Sequence, residues 1–276
     1  MNELKTALVI STSDAAFNSL AFKGDLVKGV EMAKRIGYDA VEIAIRDPDK
    51  VDRNQIKEVA VNLGIEVAAV GTGQAFLSEG LNLIDPDESV RNRTADRLKC
   101  HIDFASTFGA KVIIGFIRGS RKTRTFEQAA EIFSAQMRVI ADYASSKNVT
   151  LVIEPLNRYE IDFLNTLEQT YRVVQIIDRN NVGILADTFH MNIEEADIQR
   201  SIRLVADRLY HFHIADSNRW APGTGHYDFE STFRVLNDIG YNGYISVECL
   251  PLPDGTEHAA KIAYDTLQRL FKVFQR

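Results

Sequence analysis

Apolar runs that alternate with amphipathic stretches constrain the fold of this chain more than any other feature of its sequence. Eight short apolar runs, each of strand length, are separated by stretches with apolar residues at helical spacing. The runs cover residues 7–12, 40–45, 67–70, 111–117, 150–153, 182–187, 209–215 and 244–248. Eight strands that are each followed by a helix predict an α/β protein with a closed parallel sheet, the (β/α)8 or TIM barrel.

The length of the chain agrees with one barrel. The chain has 276 residues, and a (β/α)8 barrel takes about 250. No composition shift marks a linker, so a single domain is expected over residues 1–276. The alternative is an open doubly wound sheet, but no glycine-rich phosphate loop follows any predicted strand.

Helix signals between the strands give approximate boundaries. Thr125 and Gln128 form a capping-box pattern that predicts the start of the helix after the fourth strand. A single helix is predicted over residues 194–208, and a longer loop is predicted between residues 70 and 86. The other predicted helices cover residues 25–36, 54–63, 86–108, 166–178, 228–239 and 256–274.

Composition excludes several classes of function. The net charge of −6 argues against a nucleic-acid ligand, because a phosphate backbone requires a basic surface. No apolar run approaches the roughly 20 residues of a membrane span, and the first residues lack the apolar region of a signal peptide. Cys100 and Cys249 are the two cysteines and cannot form a disulfide framework. These features predict a cytoplasmic protein without a membrane or nucleic-acid partner.

Polar side chains close four successive strands in the second half of the chain. Glu154 follows the fifth strand, Asp187 ends the sixth, His213 lies in the seventh and Glu248 ends the eighth. The carboxyl ends of barrel strands form the active-site mouth, so these side chains are expected to converge there. Three carboxylates and one imidazole suit Mn²⁺, Mg²⁺ or Co²⁺ with open coordination positions. The sequence therefore predicts a divalent metal site.

Three motifs surround these residues and resemble those of the sugar isomerase/epimerase (xylose isomerase-like) superfamily. They are Glu-Pro-Leu-Asn-Arg-Tyr-Glu at 154–160, Asp-Thr-Phe-His-Met-Asn-Ile-Glu-Glu at 187–195, and His-Phe-His-Ile at 211–214 followed by Asn-Arg at 218–219. The metal motifs are shared across the superfamily. Glu160, His190 and Arg219 in these contexts most resemble the ketose 3-epimerases of the tagatose and allulose (psicose) type.

The resemblance implies a reaction and roles for the residues. It implies a metal-dependent epimerase, most often a Mn²⁺ enzyme, that inverts C3 of a ketohexose or ketopentose through an enediolate. Glu154 and Glu248 would be both metal ligands and the acid/base pair, because inversion requires a group on each face of the carbon. His190 and Arg219 would contact oxygens near C2, and Glu160 a terminal hydroxyl. A homodimer or homotetramer is expected, as is common in the family.

Other functions stay open at this level. The segment Arg118–Arg124 carries four basic residues after the fourth strand, and it is either a solvated charged loop or a phosphate site for a sugar phosphate. An aldose–ketose isomerase of the hydroxypyruvate isomerase kind, or a dehydratase, would use the same four ligands. An apurinic-site nuclease would need more histidines and a basic groove. A sugar-binding barrel without activity is the remaining class.

Further polar and aromatic residues are interpreted as supporting ones. His211 lies two residues before His213 on the same strand face and is expected inside the barrel rather than as a fifth ligand. Glu42 lies in the second predicted strand, and a salt bridge or a hydrogen bond at the mouth is expected for it. Four aromatic residues are candidates for the wall of a sugar site: Phe17, Phe76, Phe116 and Trp220.

Overall fold

The strands of the computed structural model form one closed parallel sheet. The structure describes residues 4–16 and 22–274. The strands are β1 Lys5–Thr12, β2 Phe22–Gly24, β3 Ala40–Ala44, β4 Glu66–Gly71, β5 Lys111–Ile114, β6 Leu151–Ile153, β7 Val182–Asp187, β8 Leu209–Ile214 and β9 Tyr244–Val247. Because β1 pairs with β3 on one edge and with β9 on the other, the sheet closes into the predicted (β/α)8 barrel. The short strand β2 adds to the end of β1 and was not predicted.

Helices surround the barrel and connect its strands. They are α1 Leu26–Ile36, α2 Arg53–Leu63, α3 Gly73–Glu79, α4 Glu88–Ser106, α5 Phe126–Ser146, α6 Leu167–Ile177, α7 Thr188–Glu194, α8 Ile198–Leu204, α9 Phe229–Asp238 and α10 Thr256–Phe274. Short 3-10 helices occupy Pro48–Lys50, Phe116–Arg118 and Ala206–Arg208. The predicted capping box at Thr125 and Gln128 is confirmed at the start of α5. None of these helices has the length and apolar character that would let it cross a membrane.

Three predicted boundaries are wrong. The fourth barrel strand, β5, stops at Ile114 rather than at residue 117, because the chain turns into a 3-10 helix after Gly115. The loop after β4 contains the short helix α3. The helix predicted over 194–208 begins later, as α8, and α7, which was not predicted, precedes it. Glu195 between them is extended, and its carboxylate accepts hydrogen bonds from the Leu167 N–H and the Ser201 hydroxyl.

Side chains inside the barrel pack separately from the main core, which lies between the strands and the helices. Along each strand, side chains point alternately inward and outward. Two small interior clusters result: Ala7, Ala40 and Ala68 with Tyr244, and Ala69, Ile113, Val152 and Leu185 with Tyr210. Apolar residues fill these layers, and the buried polar residues Glu42 and His211 lie between them and the carboxyl ends of the strands.

Gly183 in β7 makes room for an aromatic ring. A Cβ atom at this position would lie 2.1 Å from Cδ2 of Tyr210 on the adjacent strand. We expect Gly183→Ala to lower the free energy of unfolding by about 1–3 kcal/mol, the usual cost of overpacking, as measured by chemical denaturation. In a Tyr210→Ala background the same substitution should cost clearly less. An equal cost in both backgrounds would contradict the proposed ring contact.

Candidate active site

The four predicted ligand residues meet at the carboxyl ends of adjacent strands. Glu154 directly follows β6, Asp187 ends β7, His213 lies in β8, and Glu248 directly follows β9. One ligand atom from each residue lies within 4.8 Å of those of the others. Nδ1 of His213 is 3.5 Å from Oε1 of Glu154, 3.7 Å from Oδ2 of Asp187 and 3.8 Å from Oε2 of Glu248. The imidazole therefore stands at the centre of three carboxylates.

Glu42 orients this imidazole from deeper in the barrel. Its Oε2 accepts hydrogen bonds of 2.9 Å from Nε2 of His213 and from Nε2 of His211. Burial by itself would raise the pKa of Glu42, but the two imidazoles hold that pKa well below its usual range. With Nε2 donating to Glu42, His213 presents Nδ1 to the carboxylates. The expectations of an interior His211 and a hydrogen-bonded Glu42 are confirmed.

The electrostatics of the cluster suit a divalent cation. Burial, together with the nearby carboxylate of Glu154, raises the pKa of Asp187 to about 6, and burial raises that of Glu248 well above its ordinary value. Oε1 of Glu154 and Nδ1 of His213 are buried without a hydrogen-bond partner. Buried acids and an unpartnered imidazole nitrogen that face one point are disfavoured unless a cation binds there. The donor set, three carboxylates and one imidazole, is that of a Mn²⁺ or Mg²⁺ site.

Glu42 is not one of the four predicted ligand residues, but its hydrogen bond to His213 should affect metal affinity. Glu42→Gln removes the charge that orients His213, and we expect the Mn²⁺ dissociation constant to rise about 10–100-fold, as measured by calorimetry. Glu66→Gln is a matched control, because Glu66 pairs with Lys5 at the start of β4 and contacts no residue of the cluster. Equal Mn²⁺ affinity in the Glu42→Gln variant and the control would refute the orienting role.

The three residues assigned to substrate by resemblance lie beside the cluster. Nε2 of His190 is 4.0 Å from Oε1 of Glu154. Arg219 stacks 4.7 Å above the ring centre of Phe189, and its Nη1 donates to Oε1 of Glu160 at 2.5 Å. Burial and then the nearby cation of Arg219 hold the pKa of His190 well below its usual range, so the ring is neutral. The structure thus brings His190, Glu160 and Arg219 together at one side of the carboxylates.

Asp187 has a second role that the sequence did not reveal. Its Oδ1 accepts the backbone N–H groups of Phe189, at 2.7 Å, and His190, at 3.1 Å, and so caps α7. Its Oδ2 faces His213. Because the helix begins directly at the end of β7, His190 falls in its first turn and beside the cluster. The sequence signal for this role is the aspartate itself, a common N-cap residue, three positions before His190.

The loop after β8 holds Arg219 in a left-handed conformation, with φ of 64°. Asp216, which is buried, organises this loop by accepting backbone N–H groups of Ser217, Gly223 and Tyr227. The Arg219 N–H donates to the carbonyl oxygen of Asp216 at 2.8 Å. These bonds offset the cost of a non-glycine residue in this region. Sequence reasoning missed Asp216, for which the turn-forming run Asp-Ser-Asn at 216–218 gave only a weak signal.

Neither alternative for the basic segment Arg118–Arg124, a solvated charged loop or a phosphate site, describes the whole segment. Arg118 is fully buried, so a solvated loop is wrong for this residue. Its guanidinium donates to four main-chain carbonyl oxygens, those of Gly115, Glu154, Phe163 and Leu164. Arg121 and Arg124 likewise donate to carbonyl oxygens, of Asp162 and Ile84 respectively. Arg118 therefore fastens the loop after β6 rather than facing the mouth.

An open cleft of about 510 Å³ leads to the cluster. Phe116, Leu77 and Leu156 line it together with site residues Glu154, His213, Arg219 and Glu248. Phe76 stacks on Phe116, with ring centres 5.9 Å apart. Phe17 lies outside the described residues. A cleft that is apolar on one side and charged at its floor suits a small polar molecule.

A (β/α)8 barrel with a buried carboxylate–histidine cluster at its carboxyl mouth has the architecture of a TIM-barrel enzyme. The chain belongs to the xylose isomerase-like TIM barrel family, whose model matches residues 30–266. The predicted superfamily is thereby confirmed.

Similar proteins include named epimerases. The chain is 32% identical to a ketose 3-epimerase of Arthrobacter globiformis over 222 residues, which is 79% of this chain and 75% of that protein. It is 31% identical to an L-ribulose 3-epimerase of Methylomonas sp. over 231 residues, 80% of this chain and 77% of that one. The structure of a D-allulose 3-epimerase from Methylomonas sp. with D-allulose aligns at a TM-score of 0.82 and 25% identity, covering 98% and 99% of the two chains. These relatives place the chain among enzymes of the isomerase class.

Proposed function

We propose that this protein is a metal-dependent ketose 3-epimerase, which inverts C3 of a ketohexose or ketopentose. The relatives named above act on ketoses by name, and the family relation supports the same reaction class here. The proposal goes further than that relation, because it assigns roles to individual residues of this chain.

The arrangement of Glu154 and Glu248 carries the proposal. The two carboxylates follow β6 and β9 and converge on the His213 imidazole, 3.5 and 3.8 Å from its Nδ1. Inversion of a carbon requires one group to remove a proton and another to return it from the opposite face. One glutamate removes the C3 proton of the bound ketose, and the other protonates the resulting enediolate on the other face.

Three residues orient the sugar in this scheme. His190 and Arg219 donate hydrogen bonds to oxygens near C2, and negative charge develops on the C2 oxygen as the C3 proton leaves. Glu160 accepts from a hydroxyl group through Oε2, which is buried and has no hydrogen-bond partner. These roles follow the family resemblance, and the position of all three beside the cluster supports them.

Glu154, Asp187, His213 and Glu248 would hold the divalent ion, for which Mn²⁺ is proposed and Co²⁺ or Mg²⁺ would also suit the ligands. A bound ion of this kind supplies stabilisation of the negative charge on the enediolate oxygens. The protein itself supplies the buried floor of the cleft and holds the two carboxylates in fixed positions.

Unphosphorylated ketoses are the proposed substrates. A sugar-phosphate 3-epimerase is less well supported, because the guanidinium of Arg118 is buried and bound to main-chain oxygens. An aldose–ketose isomerase of the hydroxypyruvate isomerase kind, or a dehydratase, remains the second candidate, because the same four ligands serve both reactions.

One assay separates these functions. The Mn²⁺-loaded protein is incubated in deuterated water with free ketohexoses, ketopentoses and their phosphates, and the products are identified by chromatography and NMR. Epimerisation with deuterium at C3 supports the proposal. An aldose product with deuterium at C2 or C1 would identify an isomerase, loss of water a dehydratase, and no turnover of any sugar a binding protein.

The proposal also includes a homodimer or homotetramer that acts in the cytoplasm on a sugar, without a nucleic-acid or membrane partner. Light scattering during gel filtration measures the oligomeric state, and fractionation of cells measures the location.

A further inference from the structure

We propose that Asn157 is a positioning residue that fixes His190 as a neutral hydrogen-bond donor toward the substrate and Glu160 as an acceptor. The inference rests on the proposed function for the identity of the substrate. The geometry that carries it does not depend on that function.

The side-chain amide of Asn157 has only one orientation that satisfies its neighbours. Asn157 is buried in the loop after β6, with 2% of its surface exposed. Its Oδ1 accepts the backbone N–H of Tyr159 at 3.0 Å. Since a backbone N–H cannot accept a hydrogen bond, the oxygen of the amide must face Tyr159. The NH₂ group is thereby directed to the other side, at His190 and Glu160.

Two donors then converge on one nitrogen of His190. Nδ1 of the ring is 2.9 Å from Nδ2 of Asn157 and 3.3 Å from its backbone nitrogen. Both Asn157 groups are donors, so Nδ1 must be unprotonated. A neutral imidazole carries its proton on the other nitrogen, and Nε2–H is consequently the donor. Nε2 is buried without a hydrogen-bond partner and lies 4.0 Å from Oε1 of Glu154.

The side-chain amide of Asn157 also positions Glu160, the hydrogen-bond acceptor of the site. Nδ2 of Asn157 donates to Oε1 of Glu160 at 2.9 Å, and Arg219 donates to that same oxygen. With Oε1 occupied twice, Oε2 of Glu160 is left unpartnered. A single asparagine therefore leaves one unused donor, on His190, and one unused acceptor, on Glu160. A carbonyl oxygen and a neighbouring hydroxyl of a sugar have the complementary pattern.

The test replaces the amide by a carboxylate of nearly the same shape. In Asn157→Asp, the group beside Nδ1 accepts instead of donating, so Nδ1 should gain a proton. The protein is labelled with ¹⁵N-histidine and loaded with diamagnetic Mg²⁺, and the ring-nitrogen resonances of His190 are recorded. They are assigned by their loss in His190→Gln. The wild-type protein should show an unprotonated Nδ1 and a protonated Nε2, and the variant a protonated Nδ1.

Kinetics give the second readout. We expect kcat on the ketose to fall about 10–100-fold in Asn157→Asp, while KM changes less, because the donor matters most when charge develops on the oxygen. Asn165→Asp is the matched control. Asn165 ties the same loop through the carbonyl oxygens of Leu156 and Ile161, so this variant should lose thermal stability and keep the His190 tautomer.

Either of two results overturns the inference: a wild-type His190 that is protonated at Nδ1, or a His190 spectrum that is unchanged in Asn157→Asp. If the aspartate variant does not fold, Asn157→Ala removes the side-chain hydrogen bonds to His190 and Glu160 without adding charge. The backbone N–H of residue 157 still faces Nδ1, so the expected result is a shifted Nδ1 resonance, and an unchanged resonance would again contradict the role. The NMR result stands even if no sugar is turned over, so it separates failure of this inference from failure of the proposed function.

Discussion

Glu248→Gln should abolish epimerisation, with turnover of the best ketose reduced by at least about 10³-fold. The amide cannot take or return a proton at C3. Glu154 and Glu248 follow different strands, and the proposed scheme assigns each to one face of the carbon, so neither is expected to replace the other. Turnover is measured by chromatography at saturating Mn²⁺. Glu257→Gln is the control, because Glu257 pairs with Arg35 on the protein surface.

Exchange at C3 distinguishes loss of a proton carrier from loss of metal. If Glu154 still removes a proton in the Glu248→Gln variant, one epimer should exchange its C3 hydrogen with deuterated water and the other should not. Glu154→Gln should show the opposite preference. Full turnover in either variant, or equal exchange from both epimers, would contradict the two-face assignment. Calorimetry with Mn²⁺ reports how much of the loss comes from weaker binding.

Removal of the divalent ion should reduce turnover by at least about 10³-fold, an effect as large as that expected for Glu248→Gln. Without a cation the negative charge of the enediolate has no counterpart at the floor of the cleft, and several kcal/mol of stabilisation is lost. Burial, together with the nearby carboxylate of Glu154, raises the pKa values of Asp187 and Glu248, so their charged forms are disfavoured without a cation. The protein is treated with a chelator, dialysed and assayed before and after Mn²⁺, Co²⁺ or Mg²⁺ is added.

Thermal unfolding provides a readout that does not depend on substrate. At about 100 times its dissociation constant, an ion that binds the folded state alone stabilises it by about 2.7 kcal/mol, which corresponds to roughly 5–10 °C in Tm. Asp187→Ala should remove most of this shift. A metal-free protein that is fully active, or a Tm that Mn²⁺ leaves unchanged, would refute the four-ligand site.

The barrel and the convergence of its four strand-end residues could be predicted because both follow from periodicity. Buried parallel strands are continuous apolar runs, and a polar residue at the end of such a run stands out, as Asp187 does after Val182–Ala186. Closure of the sheet then determines that Glu154, Asp187, His213 and Glu248 face one point. No contact between distant segments had to be known for this step.

The supporting contacts could not be predicted, because each joins segments that are far apart in the chain. Glu42 bonds to His213 across 171 positions, and Arg118 reaches the carbonyl oxygen of Glu154 across 36. A charged residue in a loop is usually solvated, so burial of Arg118 had no signal in its neighbours. The break after Glu194 likewise depends on a bond from Leu167 to the Glu195 carboxylate.

The dual role of Asp187 limits how this site can be changed, in evolution or by design. One oxygen of Asp187 sets the first turn of α7 and the other faces the cluster, so the position of His190 and the geometry of the ligands cannot vary independently. The loop that carries Arg219 contains none of the four ligand residues, and the carboxylate of Asp216 holds it by accepting backbone N–H groups within the loop. New substrate preferences are therefore expected to arise by exchange of the 216–227 loop, while the turn after β7 stays fixed.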